Sequence, residues 1–209
     1  HITRLSKSKS ILMVLPIVAY GSPVLKRMAE EIDQDYPKLN ELIADMFETM
    51  YAANGVGLAA PQIGLSIRLF VVDASPFAED PEDGDDAEEM KQLKDFKKVF
   101  INPIIEEEKG KEWPFKEGCL SIPEIREEVK RKPDILISYY DENWELKEER
   151  YSGYAARVIQ HEYDHVEGVL FTDRLHPLRR SLLKGRLDDI AKGKVDVDYK
   201  MKFNINQTT

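Results

Sequence analysis

The sequence predicts an α+β fold. Segments with strand character fall together in the middle of the chain, and helical segments lie on either side of them. The two kinds therefore cluster, where a parallel α/β protein would alternate them. No internal repeat is visible along the 209 residues. A motif-bearing helix after the strands and a further helix near the C-terminus complete the pattern.

Taken in order, LNELIADMFETMYAA places Leu39, Leu42, Ile43, Met46 and Met50 on one helical stripe, which predicts a packing helix. IRLFVVD reads as a buried strand and VFINPIIEEE as another. DILISYYDENWELKEERY reads as a hairpin turning around Asp141–Asn143. In GYAARVIQHEYDHVEGVLF, Tyr154, Ala155, Val158 and Ile159 recur at helical spacing. Ser152 stands where an N-cap belongs and Gly168 where a helix stops. Apolar residues on several faces predict a helix running through the core. PLRRSLLKGRLDDIAKG predicts an amphipathic C-terminal helix, and KVDVDYKMKFNINQTT after it carries no clear signal.

The length suffices for one domain with a real core. Hydrophobic residues at 42% and charged residues at 33% describe an ordinary soluble protein. No apolar run reaches the roughly 18 residues of a membrane span. The basic start HITRLSKSKS followed by the apolar SILMVLPIVAYG raises the question of a signal peptide, but no small-residue cleavage site follows. The expectation is a cytoplasmic protein. A single cysteine excludes an internal disulfide and agrees with a reducing compartment. Residues 1–12 are read as a disordered extension, with Met13 as the start of one domain covering residues 13–209. The net charge of −9 argues against general nucleic-acid binding, including direct binding to DNA. Much of it comes from AEDPEDGDDAEE, residues 78–89, expected as a solvated, mobile insertion near residues 77–98 between two strands. A calcium loop fails the EF-hand spacing there.

QHEYDH carries the chemistry. With about 3.6 residues per turn, His161 and His165 project from one helical face toward one cation, and Glu162 stands where it can take a proton from water. The bland alternative is a surface helix that happens to carry two histidines. A buried carboxylate and two buried imidazoles need compensation, which a metal ion supplies. The metalloprotease continuation H-E-x-x-H-x-x-G-x-x-H fails, because Phe171 stands where the third histidine belongs. His1 is terminal and His176 lies beyond the helix. Two third ligands remain: a downstream carboxylate such as Asp188 or Asp189, or Cys119 in EGCLSIP. A lone cysteine is most often an inert core residue. As a thiolate beside two histidines it leaves a fourth position open for water, as catalytic sites do. GVGLAAPQIG, residues 55–64, is a tight, small-residue loop without the lysine of a phosphate loop. Its Gln62 is a neutral donor suited to a developing oxyanion.

GVGLAAPQ, EGCLS and QHEYDH, in that order, resemble the three motifs of the peptide deformylases, and the resemblance runs from about PIVAYGSPVLKRMAEEI to GVLFTDRLHPL. It implies antiparallel sheets wrapped around the motif helix. It implies Cys119, His161 and His165 as ligands of one divalent metal ion, Fe2+ in the cell, with Zn2+, Ni2+ or Co2+ as substitutes. Glu162 would be the general acid/base, and Gln62 with the backbone N–H of Leu120 the oxyanion donors. The implied reaction is attack of metal-bound hydroxide on the formyl group of N-terminal formyl-methionine, releasing formate from nascent chains at the ribosome. An extended peptide would pair with Val56–Gly57 and Gly118–Leu120 by strand addition. Glu117, Tyr154, Arg157 and Val158 would surround the methionine side chain, and Arg126 would meet the peptide further along. The competing readings are a metallopeptidase with a carboxylate as third ligand and a non-enzymatic zinc-binding module.

Overall fold

The computed structural model describes residues 11–205; residues 1–10, most of the expected extension, lie outside the described residues. The elements run β1 (Ile17–Val18), α1 (Leu39–Ala52), β2 (Gly57–Ala59), β3 (Leu69–Asp73), α2 (Ser75–Glu79), α3 (Ala87–Leu93), β4 (Lys97–Lys109), β5 (Trp113–Cys119), β6 (Ile122–Arg131), β7 (Asp134–Tyr140), β8 (Leu146–Tyr151), α4 (Gly153–Val166), α5 (Pro177–Ala191) and β9 (Met201–Lys202).

Side-chain alternation explains why LFVVD is apolar throughout. Phe70 and Val72 face one way and join the core that includes Ala156 and Ile159 of α4. Leu69 and Val71 face the other way and join Ile43, Met46 and Met50 of α1. A strand covered on both faces has no polar side to show. β3 lies second in an antiparallel sheet ordered β2-β3-β4-β7-β8. The sheet is thus sandwiched between α1 and α4, and the expected mixture of helices with antiparallel sheet holds. β4 breaks register at Asn102–Pro103, where proline lacks the N–H a regular ladder needs. The side chain of Asn102 bonds the backbone of Ile32 on both sides and holds the bend.

β5 and β6 form a separate two-stranded hairpin. A third core packs it against α5 and the N-terminal segment through Ile122, Ile125, Leu183, Leu187 and Ile190. The three long helices end alike. In α1, α4 and α5 the two residues after the cap send their N–H groups back to the carbonyls of the last turn: Gly55 to Met50, Val169 to Asp164, Lys194 to Asp189. Gly168 terminates α4 at φ +76, and a side chain there would also meet the Lys26 carbonyl oxygen at 2.8 Å.

One expectation changes. The acidic run is not a loose loop. It continues into α3, whose Met90 and Leu93 enter the core beside α4. Its carboxylates have structural work as well. Ser152 occupies the N-cap position of α4 without capping it, and Glu89 accepts from the Tyr154 N–H at 2.8 Å instead. Asp85 accepts from the Tyr154 hydroxyl at 2.6 Å. A string of like charges is tolerated because helix N-termini and tyrosine hydroxyls offer donors. In the stretch after α5, which carries no clear sequence signal, β9 pairs in parallel with β1, and Val195, Met201 and Phe203 pack on the hairpin core.

Glu89→Ala removes a charged cap from α4. We expect a loss of about 1 kcal/mol, the usual size of a cap, read as a lower midpoint in chemical denaturation. An unchanged midpoint would show that the carboxylate contributes nothing there.

Candidate metal centre

Three separate parts of the chain meet at one point. α4 carries His161 and His165 one turn apart, and β5 ends at Cys119 just before the tight turn to Ile122. Gln62 comes from the short 3-10 turn after β2. One ligand atom each from Cys119, His161 and His165 lies within 4.8 Å of the others. Cys119 Sγ is 3.4 Å from His165 Nε2. One sulfur and two imidazole nitrogens converging at this range suit a transition-metal ion with a position left open. Asp188 and Asp189, the alternative ligands, are exposed on α5. Phe171, at the metalloprotease histidine position, stacks on the His161 ring at 6.0 Å.

Behind these residues lies a buried charge network. Glu117 Oε1 bonds His161 Nδ1 at 2.8 Å and Arg131 Nη2 at 3.0 Å. Glu117 Oε2 accepts from Arg131 Nε at 2.8 Å and Arg157 Nη1 at 2.9 Å. Arg131 also reaches Asp164 at 2.8 Å, and Asp164 in turn is gripped by Arg174. Burial alone would raise the Glu117 carboxyl; the bonds from His161 and Arg131 overcome it and hold the group far below the usual carboxylate range. Burial likewise disfavours a charged His161, but hydrogen bonds to Cys119 and Glu117 and the charge of Glu162 raise it well above the usual histidine range. Burial pushes His165 well below that range, with His161 and Arg131 adding to the effect. The site thus attracts positive charge between Cys119, His161 and Glu162, and a cation would compete there with a proton.

Glu162 is different. It is buried, its Oε2 has no hydrogen-bond partner, and burial pushes its carboxyl up to about 7. Its Oε1 lies against the backbone of Gly57, where an added Cβ would come within 2.6 Å. Only glycine allows this approach. Gln62 accepts from the Ala59 N–H through Oε1 at 3.0 Å, which turns its amide nitrogen toward Ser121 Oγ at 3.2 Å and Cys119 Sγ at 3.5 Å.

Gln62, Glu117, Cys119, His161 and Glu162 border a cavity of about 770 Å³. Every site residue expected from sequence lines it except Tyr154 and His165: Val56, Gly57, Gln62, Glu117, Gly118, Cys119, Leu120, Arg126, Arg157, Val158, His161 and Glu162. Glu117 and Arg157 do so with their charged ends turned away. The Arg157 guanidinium bonds Glu117 and the Val129 and Trp113 carbonyls and lies over the Trp113 ring at 4.5 Å. Both were expected around a methionine side chain; Glu117 bonds His161 directly, and Arg157 bonds Glu117. Tyr154 sits one layer back, stacked on Phe77 at 4.8 Å. Phe77 and Phe115 are apolar walls that the sequence reading missed. A signal for part of this was present. Trp113, Phe115, Glu117 and Cys119 alternate along β5, so Glu117 shares the face of Cys119, and Arg131 follows Val129 on the buried face of β6.

The model of the Polypeptide deformylase family matches residues 14–181. The peptide deformylase of Christiangramia forsetii is 63% identical over 191 residues, 91% of this chain and 96% of that protein. The peptide deformylase of Flavobacterium psychrophilum is 58% identical over 193 residues, 91% of this chain and 97% of its own length. Among solved structures, the peptide deformylase of Thermus thermophilus superposes with a TM-score of 0.73 at 40% identity, covering 87% of this chain and 99% of that one. The matched region contains GVGLAAPQ, EGCLS and QHEYDH together with the strands and helix that carry them, and on that ground the chain belongs to the peptide deformylase family.

Proposed function

We propose that the chain removes the formyl group from the N-terminal formyl-methionine of newly synthesised polypeptides, releasing formate. One observation carries the reading: a Cys-His-His donor set, a buried carboxyl without a partner and an anchored amide donor converge at one cavity. Cys119, His161 and His165 would hold one divalent ion, Fe2+ in the cell, with Zn2+, Ni2+ or Co2+ able to replace it. Such an ion supplies Lewis acidity, lowering the pKa of a water from about 15.7 toward 7 and polarising the formyl carbonyl. Glu162, buried and without a hydrogen-bond partner at Oε2, is placed to accept a proton from that water and to return it to the leaving amine nitrogen; burial raises its carboxyl and a bound cation would oppose that rise. Gln62 Nε2 and the Leu120 N–H donate to the carbonyl oxygen as it gains charge. Glu117 fixes the His161 ring through Nδ1 and leaves Nε2 for the ion.

β2 is an edge strand and β5 has a single partner. An extended peptide between them would bond Val56–Gly57 on one side and Gly118–Leu120 on the other. Phe77, Phe115 and Val158 would surround the methionine side chain, and exposed Arg126 would meet residues further along the peptide. Nascent chains place the reaction where translation occurs, so we assign it to the cytoplasm. Among the described residues no helix is long and apolar enough to cross a membrane.

Formate release from a formyl-methionyl peptide tests the reading directly; release of amino acids would indicate a peptidase, and no release a binding module. Glu162→Gln should keep its metal and lose about 10²-fold or more in kcat. Near-normal turnover of the metal-loaded variant would sink the assignment. Cys119→Ser should lose both metal and activity, while Asp188→Ala and Asp189→Ala keep both. The reverse pattern in bound metal would move the third ligand to α5.

A further inference from the structure

The segment after α5 leads back to the cavity. It turns at Gly193, and Asp196 to Tyr199 then form one wall. There Tyr199 donates its hydroxyl to the carbonyl oxygen of Leu120 at 2.7 Å. On the adjacent residue of the same turn, the backbone N–H of Tyr20 donates to the Ser121 carbonyl at 2.8 Å. Both tethers spring from the short β1–β9 pairing. Ala19, next to Tyr20, bonds Lys202, and Lys200, next to Tyr199, accepts from Ile17, each at 2.9 Å. Residues 182–205 lie beyond the part of the chain that the family model matches.

We infer that the paired terminal segments β1 and β9 form a clamp on the Cys119–Ile122 turn, and that Tyr199 is a positioning residue for the Leu120 N–H. This rests on the proposed function, in which that N–H donates to the oxyanion. Leu120 and Ser121 are the two central residues of the turn, between the paired Cys119 and Ile122. The carbonyl and N–H of Leu120 flank one Cα, so fixing the direction of the carbonyl restricts the rotation that would swing the N–H. The hydroxyl is not needed for burial, because Val195, Met201 and Phe203 already attach the segment to the hairpin core. It ties the carbonyl on the other side of the Leu120 Cα from the donor. Donors aimed in advance act on the transition state more than on bound substrate.

Tyr199→Phe keeps the ring in the cavity wall and removes the tether. In the metal-loaded full chain we expect kcat for a formyl-methionyl peptide to fall about fivefold to fiftyfold, since small misplacements of a catalytic group are costly. KM should stay within about twofold and bound metal should be unchanged. Independently of activity, amide hydrogen exchange across residues 117–123 should quicken while α4 and the five-stranded sheet exchange as before. The clamp is overturned if kcat is unchanged, if only KM rises, if kcat falls only in proportion to lost metal, or if exchange in the turn does not change. A wild-type chain that releases no formate would instead refute the proposed function, and the exchange comparison would still decide the clamp.

Discussion

The four hydrogen bonds to the Glu117 carboxylate are the constraint on which the site depends. They join β5 to β6 through Arg131 and to α4 through Arg157 and His161. A buried carboxylate tolerates loss of water only when its lone pairs are filled, and these are. Removing one partner from such a buried pair typically costs about 3–5 kcal/mol, because the remaining charge is stranded. Arg131 extends the chain of charges to Asp164, which sits on α4 next to His165. The spacing of the two histidines relative to Cys119 is therefore set by ion pairs and not by apolar packing alone.

That matters because the hairpin bearing Cys119 is not part of the five-stranded sheet that packs on α4. A two-stranded hairpin is marginal by itself. It is held on one side by the Glu117 network and on the other by the apolar cluster with α5, β1 and the C-terminal segment. Cys119, His161 and His165, the candidate ligands, thus bridge two cores. A cation bound among them would add a further link between hairpin and helix, so its binding and the docking of the hairpin stabilise each other.

The sequence made part of this legible. His161 and His165 follow from a spacing of four on a helix, and α1 and β3 follow from apolar periodicity. Roles that depend on burial of charge were harder to see. Glu117 and Arg131 stand in runs rich in lysine and glutamate, where composition alone does not mark a buried charge, although their alternation with Phe115 and Val129 marks them as inward. α3 was hidden because its apolar pair Met90 and Leu93 comes directly after eight carboxylates. In the C-terminal segment Val195, Val197, Tyr199, Met201 and Phe203 alternate with polar residues. Of those positions only Met201 joins a ladder, in a strand of two residues, so the period was present without the length that identifies a strand.

Glu117 and Glu162 border the same cavity and have opposite fates. Glu117 meets two guanidinium groups and stays ionised. Glu162, close to it in the chain's fold, lies against the backbone of Gly57 and leaves its own Oε2 without a partner, and burial pushes its carboxyl up to about 7. Environments that push two carboxyls apart assign them different work. A group far from its titration range cannot exchange protons at neutral pH but makes a fixed anchor. A group near neutrality makes a poor anchor but moves a proton at little cost in either direction. Exchanging their surroundings would reverse the two shifts: guanidinium groups around Glu162 would favour its ionised form, and burial without them would push the Glu117 carboxyl up.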